Sequence, residues 1–392
     1  MKKNFFTVLV FILLISLLCK NHKKNKNKNK NKNKKSNNNK KINKRTDDEI
    51  MLFLNSSIYP KSVVILEYNP YHLECLPGYT KYFTDLGYYV DIIIRYNNLN
   101  SMEKFEPKNK IRIFQFLPNQ VIRRKFQLKQ KFRLYNYSLL HSTDKSRKKY
   151  KLYKKLGFFS NPKSLFVVHG GDFMKKLHLK KFLSNKHVFG LADYGKLNYV
   201  NPNYFGEFNL TFQRNKKVSF YISSTKDKFY SYLLVGARNL KNKLIDFEIH
   251  VTGHSNSLYK QLIPKDLKKF FYFHGHVSYQ NLYKIINKSD FIILNLFKHN
   301  KIDKLFRTYR ATGSAQLSYG FYKPVLVEEI FAPVYKFSNK TAIIFKNPNL
   351  ALAMEKATKM PSKKYIEMSK NVKYLRESIY NISLNNVKKA LN

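Results

Sequence analysis

The sequence has few cysteines, no tryptophan and few acidic side chains, and these shortages narrow what the protein can be. Its two cysteines, Cys19 and Cys75, are too few to build a disulfide framework or a metal-ligand cluster. Only 24 Asp and Glu stand against 74 Lys and Arg, so the net charge is +50. Such an excess favours an anionic partner, which can be nucleic acid, an acidic membrane or a phosphorylated substrate.

The positive charge is spread along the chain rather than confined to one end. Thirteen Lys or Arg lie in residues 20–45 and two more are Lys2 and Lys3, so the remainder still carries +35 of the +50. A chain this rich in Lys, Asn, Ile, Phe and Tyr is also what an AT-rich genome encodes, so composition bias is an equal explanation of the charge. A hydrophobic content of 43% over 392 residues suffices for two domains with cores of their own.

The N-terminus carries a hydrophobic segment followed by a basic tract. Phe5–Cys19 is a run of fifteen apolar or small residues after a short basic start, which predicts a signal peptide or a signal anchor in residues 1–19. The Lys-rich tract that follows opposes translocation, and a functional start near Met51 is a further alternative. Residues 20–58 are predicted to be disordered, either as a polybasic tether to anionic lipid or as a solvated repeat expansion.

Apolar runs alternate with helical patterns along residues 270–352. The predicted strands are 270–273, 291–296, 324–327 and 341–345, and the predicted helices follow Ser278, span 314–321 and begin at Asn349. Alternation of this kind indicates a parallel, doubly wound sheet. Residues 291–296 have the continuous hydrophobicity of a strand that is buried on both faces.

The first half of the chain opens with the same alternation. A buried strand, Ser62–Glu67, is followed by a loop, a helix over 79–86 that Gly87 ends, and a strand over 88–94. This is the opening βαβ unit of a Rossmann-like domain. The loop carries His72 and Glu74 at the carboxyl end of a parallel strand, where such sheets bind ligands. Both are candidate catalytic residues, unless the loop is merely capped by its own polar side chains.

The middle of the chain is less regular. Ile111–Phe116 alternates and predicts a strand, whereas residues 121–155 predict one or two basic amphipathic helices that face either a membrane or solvent. A further buried strand, Leu165–Val168, ends at His169. The polar segment 201–216 predicts a domain boundary, because the strand Val218–Ser223 then starts a second series of alternating elements.

The order of these pieces resembles that of GT-B glycosyltransferases, chiefly the large retaining family 4. The matching residues are Leu86-Gly87-Tyr88-Tyr89-Val90, Gly275-His276-Val277, Ser289-Asp290-Phe291, Thr312-Gly313-Ser314-Ala315 and Tyr322-Lys323-Pro324-Val325. The resemblance implies an α/β fold with two Rossmann-like, doubly wound domains facing across a cleft. Residues 59–205 would hold the acceptor, 206–362 the nucleotide-sugar, and 363–392 would form a helix that crosses back to the first domain.

The same resemblance implies roles for individual residues. His169 stands where the family has a histidine beside the donor sugar, where a neutral imidazole would hydrogen-bond a sugar hydroxyl. Backbone N–H groups at Gly313 and Ser314 would bind phosphate at a helix N-terminus, with Arg310 just upstream. The implied donor-binding residues are Lys226, Lys228, Gly253, His254, Arg310, Gly313 and Ser314. No metal site is implied.

The chain also departs from the family pattern. Two family glutamates, which face the donor sugar and the ribose, fall at Tyr309 and Leu317 here. The chain therefore belongs either to a divergent subgroup with another donor contact or to an inactive one. No Asp-x-Asp triplet, the metal-binding motif of GT-A transferases, occurs in the sequence, which agrees with a metal-independent GT-B enzyme.

The predicted function is transfer of a hexose from a UDP- or GDP-linked sugar to a glycan or lipid-linked acceptor, without a cofactor. Because the resembled family retains the configuration of the transferred sugar, the resemblance implies a retaining enzyme. The hydrophobic segment and the charge predict association with an anionic membrane, on either side of it. One alternative is an inactive GT-B scaffold at a membrane. A nucleic-acid-binding protein is less favoured, because the basic residues follow no recognisable motif.

Overall fold

The computed structural model describes residues 47–69, 72–95, 108–143, 147–169, 185–193, 197–210, 212–223, 231–253, 260–300, 303–307 and 310–392. The candidate signal segment, most of the Lys/Asn tract, Lys226, Lys228 and His254 lie outside these residues. Among the helices of the described residues, none combines the length and the apolar content needed to cross a membrane.

The first part of the chain forms a seven-stranded sheet. Its strands are β1 (Ser62–Glu67), β2 (Tyr89–Arg95), β3 (Ile111–Phe116), β4 (Tyr137–Thr143), β5 (Ser164–Val168), β6 (Val188–Gly190) and β7 (Asn198–Tyr199). They lie in the order β3-β2-β1-β4-β5-β6-β7, and every pair is parallel. The order reverses between β1 and β4, and the crevice at such a reversal is where parallel sheets bind ligands.

The second part forms a six-stranded sheet of the same kind. Its strands are β8 (Val218–Ser223), β9 (Phe247–Thr252), β10 (Phe271–Gly275), β11 (Phe291–Ile293), β12 (Val325–Glu328) and β13 (Ala342–Phe345). They lie in the order β10-β9-β8-β11-β12-β13, again all parallel, and the order reverses between β8 and β11. The predicted pair of doubly wound sheets is confirmed.

Helices cover both faces of each sheet, which explains the continuous apolar runs of the strands. In β1, Val63 and Ile65 belong to one hydrophobic core and Val64 and Leu66 to another, because successive side chains of a strand point to opposite faces. The helices are α1 (residues 47–55), α2 (Leu76–Asp85), α3 (Pro118–Arg123), α4 (Lys125–Arg133), α5 (Arg147–Lys155), α6 (Ser231–Asn242), α7 (Tyr279–Lys288), α8 (Gly313–Phe321), α9 (Leu350–Thr358) and α10 (Ser362–Leu391).

Two predicted segments are wrong. Residues 20–58 are not disordered throughout, because residues 47–55 form α1 and its apolar Ile50 and Phe53 pack in a core with Val64 and Leu66 of β1.

The second wrong prediction concerns the middle of the chain. Residues 121–155 are not one or two helices, because β4 runs through them at the centre of the first sheet. The side chains of Leu139, Leu140 and His141 are fully buried there. Tyr137–Thr143 contains only two strongly apolar residues in succession and is flanked by Lys- and Arg-rich helices, so its pattern does not distinguish a buried strand from helix.

The last helix contacts both halves of the molecule. Near its start, Tyr365 Oη donates to the carbonyl of Asp290, beside the second sheet, over 3.1 Å. Towards its end, Ser383 Oγ accepts from the N–H of Asn201 over 3.0 Å, and Val387 packs in a core of the first sheet. With 30 residues the helix is about 45 Å long, which suffices for contact with both sheets.

Candidate functional site

Three neighbouring strands of the first sheet bring polar side chains together at its carboxyl edge. Glu67 ends β1, His141 lies near the end of β4, and His169 directly follows β5. The carboxylate Oε2 of Glu67 lies 2.5 Å from Nδ1 of His141, and both side chains are fully buried. Nε2 of His169 lies 3.1 Å from the carbonyl oxygen of His141. A carbonyl only accepts hydrogen bonds, so Nε2 of His169 carries the proton and Nδ1 is the acceptor of the ring.

The loop after β1 joins this group. The ring of His72 stacks on the ring of His169, with centroids 3.9 Å apart and planes inclined by 29°. Nδ1 of His72 lies 4.0 Å from Oε1 of Glu74. The structure therefore brings together His72, Glu74 and His169, the three side chains that the sequence analysis nominates for catalysis, although their catalytic role stays a prediction.

Glu74 also reaches the second half of the molecule. The hydroxyl of Tyr279, the first residue of α7, donates a hydrogen bond to Oε2 of Glu74 over 2.8 Å. Burial raises the pKa of Glu74 from 4.5 to about 7, against the lowering effect of the Tyr279 hydrogen bond. Burial lowers the pKa of His169 well below 6.5, and nearby His72 and His141 add to the effect. Near neutral pH, His169 is therefore neutral and Glu74 is close to half ionised.

Sequence reasoning missed Tyr279. Its position two residues after Gly275-His276-Val277, at the first turn of a helix that begins at the carboxyl edge of β10, was the available signal. Such a position faces the ligand edge of a parallel sheet.

The carboxyl edge of the second sheet presents backbone groups and small side chains. Oγ of Ser314, in the first turn of α8, lies 3.1 Å from Oγ of Ser223 at the end of β8. A Cβ atom added at Gly313 would meet nothing within 4 Å, so the space beside this helix start is open. Gly253 follows β9 with φ 132° and donates its N–H to the carbonyl of Gly275 over 2.8 Å. The open start of α8 is the kind of place where backbone N–H groups and the helix dipole bind an anion.

Arg310 lies three residues before α8 and is half-buried. Its N–H donates to the carbonyl of Leu305 over 2.9 Å, and its carbonyl accepts from the hydroxyl of Tyr335 over 3.4 Å. The backbone at Arg310 is thus fixed close to the helix start.

The two positions of the family glutamates have different outcomes. Tyr309 lies outside the described residues. Leu317 packs in a hydrophobic core of the second sheet with 6% of its surface exposed. Position 317 therefore contributes an apolar side chain to the core and presents no carboxylate to a ligand.

Two amides at the same edge also escaped the sequence analysis. Asn295 follows β11 with φ 46°, is 3% exposed, and has no hydrogen-bond partner for either amide atom among the described residues. Gln316 in α8 accepts a weak hydrogen bond from the thiol of Cys75 over 3.7 Å, and its Nε2 has no partner in the same part of the chain. An asparagine inside the apolar run Phe291–Phe297 was the signal that pointed to the first of them.

No metal centre is found in the part of the chain that the structure describes, where no group of three or more His, Cys, Asp or Glu side chains is arranged to hold an ion. The histidines at the first edge stack and tilt against one another, with the rings of His141 and His169 inclined by 60°.

Comparison with known proteins identifies the architecture. No protein-family model matches the sequence, and no curated protein matches it. A glycosyltransferase from Rickettsia africae ESF-5 superimposes with a TM-score of 0.55 at 16% identity, over 85% of this chain and 98% of that one. Anabaena HepE, solved in complex with UDP and glucose, gives a TM-score of 0.57 at 10% identity, over 84% and 99%. Together with the two parallel sheets, this likeness shows that the chain has the two-domain α/β fold of GT-B glycosyltransferases.

Proposed function

We propose that the chain is a glycosyltransferase that moves a sugar from a nucleotide-sugar to an acceptor. The observation that carries the proposal is the hydrogen bond between Glu74 and Tyr279, which joins the carboxyl edge of the first sheet to that of the second. The stacked pair His72 and His169 lies on one side of this contact and the helix that Tyr279 begins on the other. A nucleotide-sugar in the cleft would therefore have polar groups from both sheets around it.

The donor diphosphate is assigned to the second sheet. The open start of α8 at Gly313 and Ser314 supplies backbone donors, and Arg310 supplies a positive charge just before it. Gly253 allows close approach at the end of β9, and the residues that follow β8 and β9 include Lys226, Lys228 and His254. These groups would stabilise the charge that the diphosphate gains as its bond to the sugar breaks. A UDP-linked sugar is the first candidate, because HepE of similar fold binds UDP and glucose.

The sugar is assigned to the first edge. Neutral His169 offers Nδ1 as an acceptor to a sugar hydroxyl, and His72 holds the ring from one face. Glu74, with a pKa of about 7, matches the requirement of general acid–base chemistry at neutral pH. Membership of family 4, retention of configuration and independence of metal ions and cofactors remain part of the proposal.

The acceptor is proposed to be a glycan or a lipid-linked sugar at an anionic membrane. Helices α3 and α4 and the residue that ends α4 expose three large apolar side chains, Ile122, Phe126 and Leu134. Arg123 and Arg133 are exposed beside them, and residues 108–143 contain no Asp or Glu. Exposed apolar side chains among basic ones fit a lipid surface better than nucleic acid. We call this surface, formed by Ile122, Arg123, Phe126, Arg133 and Leu134, the α3–α4 face.

Thermal stabilisation of the full chain by UDP, GDP and their sugar conjugates, with and without EDTA, tests the proposal. We expect one nucleotide and its sugar conjugate to raise the melting temperature, and EDTA to leave that shift unchanged. Stabilisation that EDTA abolishes would contradict metal independence. No shift with any conjugate at millimolar concentration would favour an inactive scaffold instead.

A further inference from the structure

The buried pair Glu67 and His141 has no part in the proposed reaction, although it occupies the reversal of strand order in the first sheet. Both side chains have no exposed surface, and Oε2 of Glu67 lies only 2.5 Å from Nδ1 of His141, a short hydrogen-bond contact. The ring of Tyr79 lies edge-on to His141, with centroids 5.1 Å apart and an angle of 83°. The pair is therefore enclosed behind the candidate catalytic side chains.

Each residue of the pair is hydrogen-bonded to a segment that carries candidate catalytic side chains. The other carboxylate oxygen of Glu67, Oε1, accepts the backbone N–H of Asn69, in the loop that continues to His72 and Glu74. The backbone carbonyl of His141 accepts from Nε2 of His169, which sets the tautomer of that ring. One carboxylate thus connects the loop that carries His72 to the strand that orients His169.

Stability alone is a poor reason for such a pair. Taking two charged or strongly polar groups out of water costs several kcal/mol, and apolar side chains of similar volume usually stabilise a core as well or better. The hydrophobic clusters on the two faces of this sheet consist chiefly of Val, Ile, Leu, Phe and Tyr side chains. Hydrogen bonds are directional, whereas apolar packing is not. A role in orienting neighbouring groups therefore explains why polar side chains occupy these two positions.

We infer that Glu67 and His141 are positioning residues for the nucleotide-sugar site. Their hydrogen bonds hold the His72 loop against β4 and keep His169 with Nε2 as donor and Nδ1 as acceptor, at the stacking distance from His72. The inference rests on the proposed function and deepens it, since it names what sets the geometry of the sugar-binding edge. Neither residue touches the reacting atoms.

The test compares two ligands on the full chain. The affinities for UDP and for UDP-glucose are measured by calorimetry for wild type, Glu67→Gln and His141→Gln, together with the histidine tautomers by nitrogen NMR. Glu67→Gln keeps the shape of the side chain and removes its charge. Asp91→Asn is the matched control, because Asp91 is also buried in the first sheet and pairs with Arg112 over 2.7 Å, away from the candidate site.

A positioning role predicts a split between the two ligands. We expect Glu67→Gln to bind UDP-glucose at least about 10-fold more weakly than wild type does, and to bind UDP with an affinity within about 2-fold of wild type. A small displacement of His72 and His169 would weaken contacts to the sugar, and UDP carries no sugar at that position. The population of the Nε2–H tautomer of His169 should fall in the same variant, while Asp91→Asn should change neither quantity.

The other results have distinct meanings. Equal weakening of UDP and UDP-glucose, or an unchanged affinity ratio with an unchanged His169 tautomer, would overturn the positioning role and leave the proposed function standing. If wild type binds neither UDP nor UDP-glucose, and no other nucleotide or nucleotide-sugar of the thermal-shift panel, the proposed function fails and this inference fails with it.

Discussion

The two sheets reverse their strand order in the same way, but the crevices at the two reversals are chemically different. Between β1 and β4, the crevice is filled by the chain's own Glu67 and His141, whose Oε2 and Nδ1 contact each other, although Nε2 of His141 has no hydrogen-bond partner in the part of the chain that the structure describes. Between β8 and β11, the strand ends carry Ser223 and Asn295, and the asparagine has neither amide atom bonded among the described residues. The same reversal of strand order therefore yields one crevice that a buried Glu–His pair fills and one that has an open helix start beside it.

This difference suits the proposed division of labour, in which the second sheet binds the donor and the first sheet orients side chains beside it. A buried Glu–His pair can orient the side chains in front of it, whereas an open helix start can bind an anion through its backbone N–H groups. The donor is therefore expected at the second crevice, and the first contributes only the side chains in front of its buried pair.

The largest expected effect comes from breaking the filled crevice. Glu67→Ala leaves His141 without its partner in a fully buried place, so unfolding in urea should show a loss of about 3–5 kcal/mol in the free energy of unfolding. Glu377→Ala is the control, because this carboxylate is half exposed and lies 4.0 Å from Lys373. It should change stability by less than about 0.5 kcal/mol. Equal losses in both variants would show that the pair is not special.

The open crevice can be altered without disturbing the fold. Gly313→Pro removes one backbone N–H, and proline is tolerated at the first position of a helix. The preceding Thr312 already has the extended backbone that proline requires, with φ −96° and ψ 129°. Nucleotide binding should weaken by about 1.5–3 kcal/mol, the contribution of one hydrogen bond to a charged group.

Gly313→Ala is the matched control for this variant, because it adds a Cβ in the same open space but keeps the N–H. Calorimetry with UDP should give alanine an affinity close to that of wild type. If alanine and proline weaken binding equally, the added volume rather than the lost donor is responsible, and the helix start does not bind the phosphate through this N–H.

The contact between the two edges should depend on pH. The pKa of Glu74 is raised from 4.5 to about 7 in the folded chain, so the folded state holds a proton that the unfolded state has released at intermediate pH. Its contribution to stability is present below pH 4.5 and is lost as the pH rises through about 7. Over this range wild type should lose on the order of 1–3 kcal/mol relative to Glu74→Gln, which cannot titrate.

Urea unfolding of both proteins at pH 5 and pH 8 measures this difference. Tyr279→Phe serves as a second variant, because it removes the hydrogen bond that lowers the pKa of Glu74 and should shift the transition to higher pH. Parallel pH profiles for wild type and Glu74→Gln would show that the carboxyl of Glu74 is solvated and ordinary.

The smallest expected effect concerns the outer surface, where the first domain exposes the α3–α4 face. Phe126→Ser should lower co-sedimentation with vesicles of anionic phospholipid by about 10-fold, the value of roughly 1.4 kcal/mol for a partly inserted aromatic ring. Tyr374→Ser is the control, since Tyr374 is 63% exposed on α10, close to the 71% of Phe126. Equal vesicle binding by wild type, Phe126→Ser and Tyr374→Ser would contradict membrane binding through the α3–α4 face. The positive charge of the chain would then need another explanation.

Many of the strands and helices could be predicted, because the spacing of apolar residues along the sequence follows which side chains are buried. Ser62–Glu67 and Ile111–Phe116 are strands at the bounds that their apolar patterns predict, and Ser278 Oγ accepts from the N–H of Asn281 as the predicted cap of α7. The predicted helix at 79–86 starts earlier, at Leu76, because Pro77 is tolerated in a first turn. Strand β4 was not predictable in this way, since its burial comes from neighbours on both sides rather than from its own composition.

The sequence by itself determined which residues stand at the ends of parallel strands, and so it nominated His72, Glu74 and His169. Only the tertiary structure decided which strands are neighbours and which edges face each other. Glu67 and His141 are 74 residues apart, and Glu74 and Tyr279 are 205 residues apart. Periodicity reports whether a side chain is buried but not what buries it. Contacts over such separations form only when β4 inserts beside β1 and the two sheets face each other.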